Sequence, residues 1–231
     1  MSIPFEALDV YLNREIKLDL KSVYDKVVVN ERGGFCYELN YLFYSLLTKI
    51  GFDCSIVSSR IWSNESLGPE FDHMSVIVKL EDDWLVDVGY GDLFIEPLKI
   101  YSDSIQEDYY KNYKIEQLNN KEFLVLESLK NNQEYKRRYI FNLEPQTIDE
   151  FFSQCHYKQS SPNSYFVKNT ICTMPTKCGR KTIFNNIFKT KSNDEVREST
   201  LNDDNELFKT LKSEFNISIK DTAYNIVQPK P

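Results

Sequence analysis

The chain has 231 residues, 41% of them apolar and 14% aromatic, enough to build a substantial globular core in one large domain or two small ones. A formal charge of −7 argues against a nucleic-acid or anionic-membrane partner. The opening residues, MSIPFEALDV, lack a basic and apolar leader, and no run is long and apolar enough for a transmembrane helix, which predicts a cytoplasmic location. The five cysteines (Cys36, Cys54, Cys155, Cys172 and Cys178) are odd in number and include no C-x-x-C pair. They predict free thiols in a reducing compartment rather than a disulfide framework or a zinc site, and no metal is expected.

In chain order, helical spacing is predicted from Leu20 to about Ile50. From Cys36 onward, Leu39, Leu42, Phe43, Leu46, Leu47 and Ile50 recur at three- and four-residue intervals, and Gly51 stands where a helix ends. Ahead of this run, Arg32-Gly33-Gly34-Phe35 places a two-glycine turn against the helix start, so Cys36 falls in the first turn. Unpaired N–H groups and the helix dipole there favour a thiolate over a thiol. The glycines permit positive φ and close approach of a ligand to backbone. Glu38 suits the same helix start but opposes thiolate formation in part.

After Gly51 the period changes to two. Strands are predicted at Cys54 to Trp62, His73 to Leu80, Trp84 to Val88, Tyr113 to Leu118, Phe123 to Leu129 and Tyr135 to Leu143, spaced as in a small antiparallel barrel or sandwich. Pro145 to Tyr157 reads as a short helix entered at Thr147, followed by a loop and domain boundary at Ser160 to Ser164. Strands at Tyr165 to Met174 and Lys181 to Phe188, a polar stretch, a helix at Asp204 to Phe215 and a loose tail at Gln228 to Pro231 complete the chain.

Nucleophilic cysteine chemistry needs a base to share the thiol proton and a group to orient that base. His73 and His156 are the only histidines. His73 opens a predicted strand, and Asp87 interrupts the apolar run Trp84-Leu85-Val86-Asp87-Val88-Gly89, where a half-buried carboxylate calls for a partner. His73 and Asp87 share strand parity. A three-residue reversal pairing Leu80 with Trp84 would nevertheless set Asp87 opposite Ile77, so contact requires a bulge or another register. His156 has no acid or glycine turn beside it and reads as an ordinary residue. Tyr90 and Phe94 are candidates for the wall of an apolar pocket near Asp87. Gly179-Arg180-Lys181-Thr182 lacks the full phosphate-loop pattern and reads as a turn.

Arg32-Gly33-Gly34-Phe35-Cys36-Tyr37-Glu38-Leu39-Asn40 resembles the R-G-G-x-C-x-E-L-N signature of the arylamine N-acetyltransferases. Ile3-Pro4-Phe5-Glu6-Ala7-Leu8-Asp9 is similar to that family's I-P-F-E-N-L segment, and Asp72-His73-Met74 with Trp84 to Gly91 resembles its H-M and W-L-V-D-V-G-F-G strands. Ser160 to Ser164 and Gly179 to Thr182 are similar to its T-S-P and G-R-x-T elements, so the resemblance spans the whole chain.

It implies an α+β fold: a helical N-terminal domain (1–60) carrying the nucleophile and an antiparallel β-barrel domain (61–158) carrying histidine and aspartate, together a cysteine-protease-like core, with a C-terminal α/β lid (159–231). It implies Cys36, His73 and Asp87 as a catalytic triad, acetyl-CoA as donor, an arylamine or arylhydrazine as acceptor in xenobiotic metabolism, and Phe35, Tyr90 and Phe94 around the acyl and amine pocket. The same Cys-His-Asp order would also serve a thiol hydrolase or a transglutaminase-like enzyme, and a non-catalytic CoA-binding remnant is the alternative outside enzymes. Two departures stand out. Family members carry helical sequence ahead of the segment that starts here at Ile3, so a shortened helical domain is expected. Asp72 stands beside His73 where a small hydroxyl residue is usual, and an extra acid there is expected to alter the histidine's protonation or contacts.

Overall fold

A computed structural model of the chain describes residues 3–63, 65–108, 111–130, 132, 134–192 and 195–219. The tail at Gln228 to Pro231 lies outside them. The chain enters through a two-residue strand β1 (Phe5–Glu6), a single turn α1 (Leu8–Tyr11) and α2 (Leu20–Tyr24). Asp19 caps α2 by accepting the Ser22 N–H at 2.9 Å.

The helical spacing predicted from Leu20 to Ile50 is broken in the structure. α2 ends in one π turn, Asp25–Val29, and α3 (Cys36–Lys49) begins afresh. Between them Gly34 forms a parallel bridge with Phe5, and its carbonyl accepts the Glu6 N–H at 2.9 Å. Neither Gly33 nor Gly34 has the positive φ that the sequence suggested; among the described residues only Gly51 and Gly91 are glycines of that kind. The pair is small for another reason. A Cβ on Gly33 would sit 2.0 Å from the Pro4 carbonyl oxygen and one on Gly34 2.9 Å from the Glu38 Cβ, so Gly33 admits the chain's own N-terminal strand and Gly34 the Glu38 side chain. Gly51, at φ 98°, ends α3 in the left-handed conformation expected of it.

Among the described residues nine strands form the barrel: β2 (Asp53–Ser63), β3 (Ser66–Leu67), β4 (His73–Lys79), β5 (Asp83–Val86), β6 (Leu98–Lys99), β7 (Gln106–Glu107), β8 (Lys111–Gln117), β9 (Glu122–Leu129) and β10 (Lys136–Asn142). They run antiparallel in the order β6-β5-β4-β2-β10-β9-β8-β7, with β3 hanging on β2. The Gln106 side chain bonds both the N–H (2.7 Å) and the carbonyl (2.9 Å) of Lys99, joining β7 to β6 and nearly closing the sheet. Alternation sends Val57, Ile77, Leu85, Tyr113, Val125, Tyr139 and Phe141 inside. The opposite faces of β2 and β4, through Ile56, Met74, Val76 and Val78, pack with Phe35, Tyr37 and Leu39, so α3 lies against the outside of the barrel wall. β2 is a single strand paired from Asp53, and it takes residues ahead of position 61 into the barrel.

A 3-10 turn (Ile148–Phe151) leads into α4 (Phe152–Ser160), with Glu150 accepting the Thr147 N–H at 2.7 Å at the predicted entry. The strand predicted from Tyr165 begins later. Ser164 caps a short helix α5 (Tyr165–Lys168) by accepting the Phe166 N–H, and β11 starts at Ile171 (Ile171–Thr176). The strand predicted at Lys181 to Phe188 is two strands, β12 (Gly179–Phe184) and β13 (Ile187–Ser192), because Asn185 at φ 53° reverses the chain. The polar stretch is a further strand, β14 (Glu195–Thr200), exposed throughout and therefore without a period-two signal. These strands add to β1 in the order β1-β11-β12-β13-β14. α6 (Asp204–Phe215) buries Leu207, Leu211 and Phe215 with Leu8, Cys172 and Ile183.

Candidate active site

Cys36 is the first residue of α3 and is buried against the loop that follows β5. The fit there is close: a Cβ on Gly89 would stand 2.8 Å from both the Cα and the carbonyl oxygen of Cys36. β4 and β5 pair Val76 with Val86 and Lys79 with Asp83, a reversal one residue earlier than Leu80 opposite Trp84. That register carries Asp87 toward the His73 end of β4 instead of leaving it opposite Ile77, and the side chains meet across the diagonal of the ladder.

His73 Nε2 lies 2.7 Å from Asp87 Oδ2, with both side chains shut off from solvent. The other carboxylate oxygen of Asp87, Oδ1, accepts the Asn40 amide and the Gly89 N–H, each at 2.9 Å. The Cys36 side chain is close enough to His73 to favour the charged ring. With Nε2 committed to Asp87, Nδ1 is the ring nitrogen left for the thiol. Burial alone would depress the His73 pKa, but the Asp87 charge and hydrogen bond, joined by the influence of nearby Cys36, outweigh it and raise it to about 10. Tyr90 stands edge-on to the imidazole at 5.5 Å and Tyr139 flanks it at 5.4 Å.

Asp72, beside His73 in sequence, is engaged by other partners. Its carboxylate turns to Lys158 of α4 at 2.7 Å, and its carbonyl accepts the Tyr37 hydroxyl. Below Cys36, five ionic side chains are buried together. Glu38 accepts the Phe35 N–H at 3.1 Å and pairs with Lys26 at 2.8 Å; Lys26 reaches Asp9 at 2.7 Å; Arg32 joins Glu6 at 2.8 Å and Asp9 at 3.1 Å. Burial raises the Glu38 pKa from its ordinary value, with Lys26 opposing it. The charge that seemed set against the thiolate is thus balanced locally, and the Ile3 to Asp9 and Arg32 to Asn40 segments form one ionic unit under the nucleophile.

Asp87, Tyr90 and Phe94 line a cavity of about 1100 Å³, walled mainly by apolar side chains including Leu39, Leu42 and Val88. Phe35 is not on that wall. It is wholly buried, edge-on to Tyr37 at 5.2 Å and to Phe166 at 5.7 Å, and packs behind the first turn of α3. Arg180 fastens the Tyr90 loop to the second sheet: it donates to the Gly91 carbonyl and to Thr173 Oγ1 (3.0 Å), and pairs with Asp92 at 3.2 Å. The Gly179 to Thr182 segment opens β12, its backbone engaged with β11 and β13. His156 is exposed, beside Ser160.

Asn40, Lys158 and Arg180 escaped assignment from the sequence. Only Asn40 leaves a local trace, as a polar residue one turn beyond Cys36 in an otherwise apolar helix face. Among the described residues no cluster of His, Cys, Asp or Glu could hold a metal ion, and no helix is long and apolar enough to cross a membrane. A thiol, an imidazole and a fixed carboxylate in sequence can form and resolve an acyl thioester.

The N-acetyltransferase family profile matches residues 1–224. The chain is 31% identical to arylamine N-acetyltransferase 1 of Bos taurus and 30% identical to the pineal gland isozyme NAT-10 of Gallus gallus, each comparison covering 95% of this chain and 84% of the relative. The structure of an arylamine N-acetyltransferase from Salmonella typhimurium superposes with a TM-score of 0.86 at 25% identity, over 97% of this chain and 83% of that one. The same fold is found in the Mycobacterium marinum enzyme in complex with CoA (TM-score 0.84, 20% identity, 93% and 81% covered). It is also found in a Bacillus cereus enzyme described as having a unique Cys-His-Glu catalytic triad (0.87, 21%, 95% and 87%).

Proposed function

The chain belongs to the arylamine N-acetyltransferase family, and from that premise we propose that it carries an acetyl group from acetyl-CoA, through a thioester on Cys36, to the nitrogen of an arylamine or arylhydrazine. The observation that carries this reading is the buried 2.7 Å contact of His73 with Asp87, with Cys36 near enough to favour the charged ring.

His73 and Cys36 form an imidazolium–thiolate pair held by the charge of Asp87. The thiolate attacks the acetyl carbonyl, and backbone N–H groups in the first turn of α3 face the developing oxyanion. The carbon–sulfur bond to CoA breaks, CoA leaves with the proton from His73, and acetyl-Cys36 remains. The acceptor amine then attacks the thioester, His73 takes the amine proton, and the Cys36 thiolate is restored. The apolar wall with Tyr90 and Phe94 suits an aromatic acceptor ring.

Mass spectrometry tests the scheme. Acetyl-CoA should add one acetyl group to the wild-type chain and none to Cys36→Ala, and aniline or a hydrazine should discharge it as the N-acetyl product. An adduct that survives excess amine would overturn the transfer step. Discharge to acetate at a rate indifferent to amine would point to a thiol hydrolase.

A further inference from the structure

We infer that Asn40 is a positioning residue for acyl transfer, a single amide on the nucleophile's own helix that fixes both the histidine and the aspartate relative to Cys36. This deepens the reading above and rests on Cys36, His73 and Asp87 being the reacting set.

Asn40 follows Cys36 by one helical turn, so both side chains lie on the face of α3 that meets the Gly89 loop. It is completely buried. Its Nδ2 donates to the Met74 carbonyl at 2.6 Å and to Asp87 Oδ1 at 2.9 Å, while its Oδ1 accepts the Val88 N–H at 2.9 Å. Met74 is the neighbour of His73 in β4, and Val88 is the neighbour of Asp87. One side chain therefore grips the backbone next to each of the two groups and one oxygen of the carboxylate itself.

The amide has no alternative orientation. Exchanging its oxygen and nitrogen would point a donor at the Val88 N–H and an acceptor at the Met74 carbonyl. Asp87 consequently receives a donor of fixed direction. With Oδ1 held by Asn40 and the Gly89 N–H, Oδ2 faces His73 Nε2, which leaves Nδ1 as the ring nitrogen open to Cys36. Without Asn40 the carboxylate keeps one backbone donor on that oxygen and is free to turn about a soft terminal torsion.

A residue that only ties α3 to the barrel would change how much protein folds. A positioning residue changes how fast the folded protein reacts, and with what pH dependence. Single-turnover acetylation of Cys36 separates these, since the amplitude counts folded sites and the rate constant reports each site. Asn40→Ala should lower the rate constant about 100-fold, the scale of a misplacement near 1 Å. Asn40→Asp, of the same shape, still accepts the Val88 N–H but donates to Asp87 only when protonated, so its rate should rise as pH falls from 8 to 6.

His73→Gln and Asp87→Ala are measured in parallel. Wild-type rates in both would remove the triad reading itself. A collapse in these two, with Asn40→Ala and Asn40→Asp keeping the wild-type rate constant and pH profile at whatever amplitude they show, would overturn the inference alone. Slow acetylation in Asn40→Ala together with recovery of Asn40→Asp at low pH supports it.

Discussion

Gly89 offers a direct test of how closely the reacting groups depend on backbone contact. Its φ is not in the left-handed region, so alanine meets no conformational barrier, and the reduced freedom of the unfolded chain would on its own stabilise Gly89→Ala by about 0.4–1 kcal/mol. Space decides otherwise. The new Cβ would lie 2.7 Å from Asn40 Nδ2 and 2.8 Å from Cys36 Cα and carbonyl oxygen. Two of these three atoms are helix backbone, which does not swing aside. Restoring an ordinary contact near 3.4 Å requires the loop and α3 to separate by about 0.6 Å. Overpacking of this kind costs about 1–3 kcal/mol, giving a net loss of about 0–2.6 kcal/mol and a fall in Tm of up to about 10 °C for a chain of this length.

The catalytic effect should be larger than the loss of stability suggests, because the same 0.6 Å separates the helix bearing Cys36 from the loop that follows Asp87. The expected result is a 10- to 100-fold lower single-turnover acetylation rate, with most of the chain still folded at 25 °C. Gly51→Ala is the control. Nothing lies within 4 Å of its added Cβ, but φ is 98°, so it should lower Tm through strain at the end of α3 and leave the rate unchanged. A Gly89→Ala rate within threefold of wild type would refute the idea that this contact sets the site's geometry.

Proton NMR titration should show the His73 ring protonated up to about pH 10, and Asp87→Asn should return it toward or below 6.5, where burial is the stronger remaining influence. Because folding raises this pKa, the stabilisation from the pair is complete below about pH 6.5 and is lost as pH climbs toward 10. Wild-type Tm should therefore fall more steeply across that window than Asp87→Asn, and parallel curves would disprove the linkage. Arg32→Met leaves Glu6 and Asp9 buried without the cation that joins them. A loss of about 3–5 kcal/mol is expected by urea unfolding, and a loss below about 1 kcal/mol would mean that the carboxylates are satisfied by other groups.

Much of the site was legible because it is written in local chemistry. A thiol after two glycines at the start of a strongly periodic helix, and an acid inside an apolar strand, are each anomalous where they stand, and the structure puts them around one histidine. What local chemistry misjudged was purpose. The Gly33-Gly34 pair reads as room for a ligand but admits Pro4 to Glu6 at Gly33 and the Glu38 side chain at Gly34. Asp72 reads as a modifier of its neighbour, but it lies just ahead of β4 and its carboxylate pairs with Lys158 on α4. Phe35, which the family resemblance implies lies around the acyl and amine pocket, has its ring packed against Tyr37 and Phe166.

The sequence by itself determined the elements with a buried face, α3, the long barrel strands and α6, since burial imposes a period that survives in the order of residues. Only the tertiary structure decided the register of β4 on β5, the pairing of β1 with β11 and the exposed β14. Strand pairing joins backbone groups that carry no residue identity, and an exposed strand buries no face to mark it. Asn40 stands between the two cases. Its place one turn from Cys36 is fixed by the helix, but its three bonds exist only because β4 and the Gly89 loop arrive beside it from residues far along the chain.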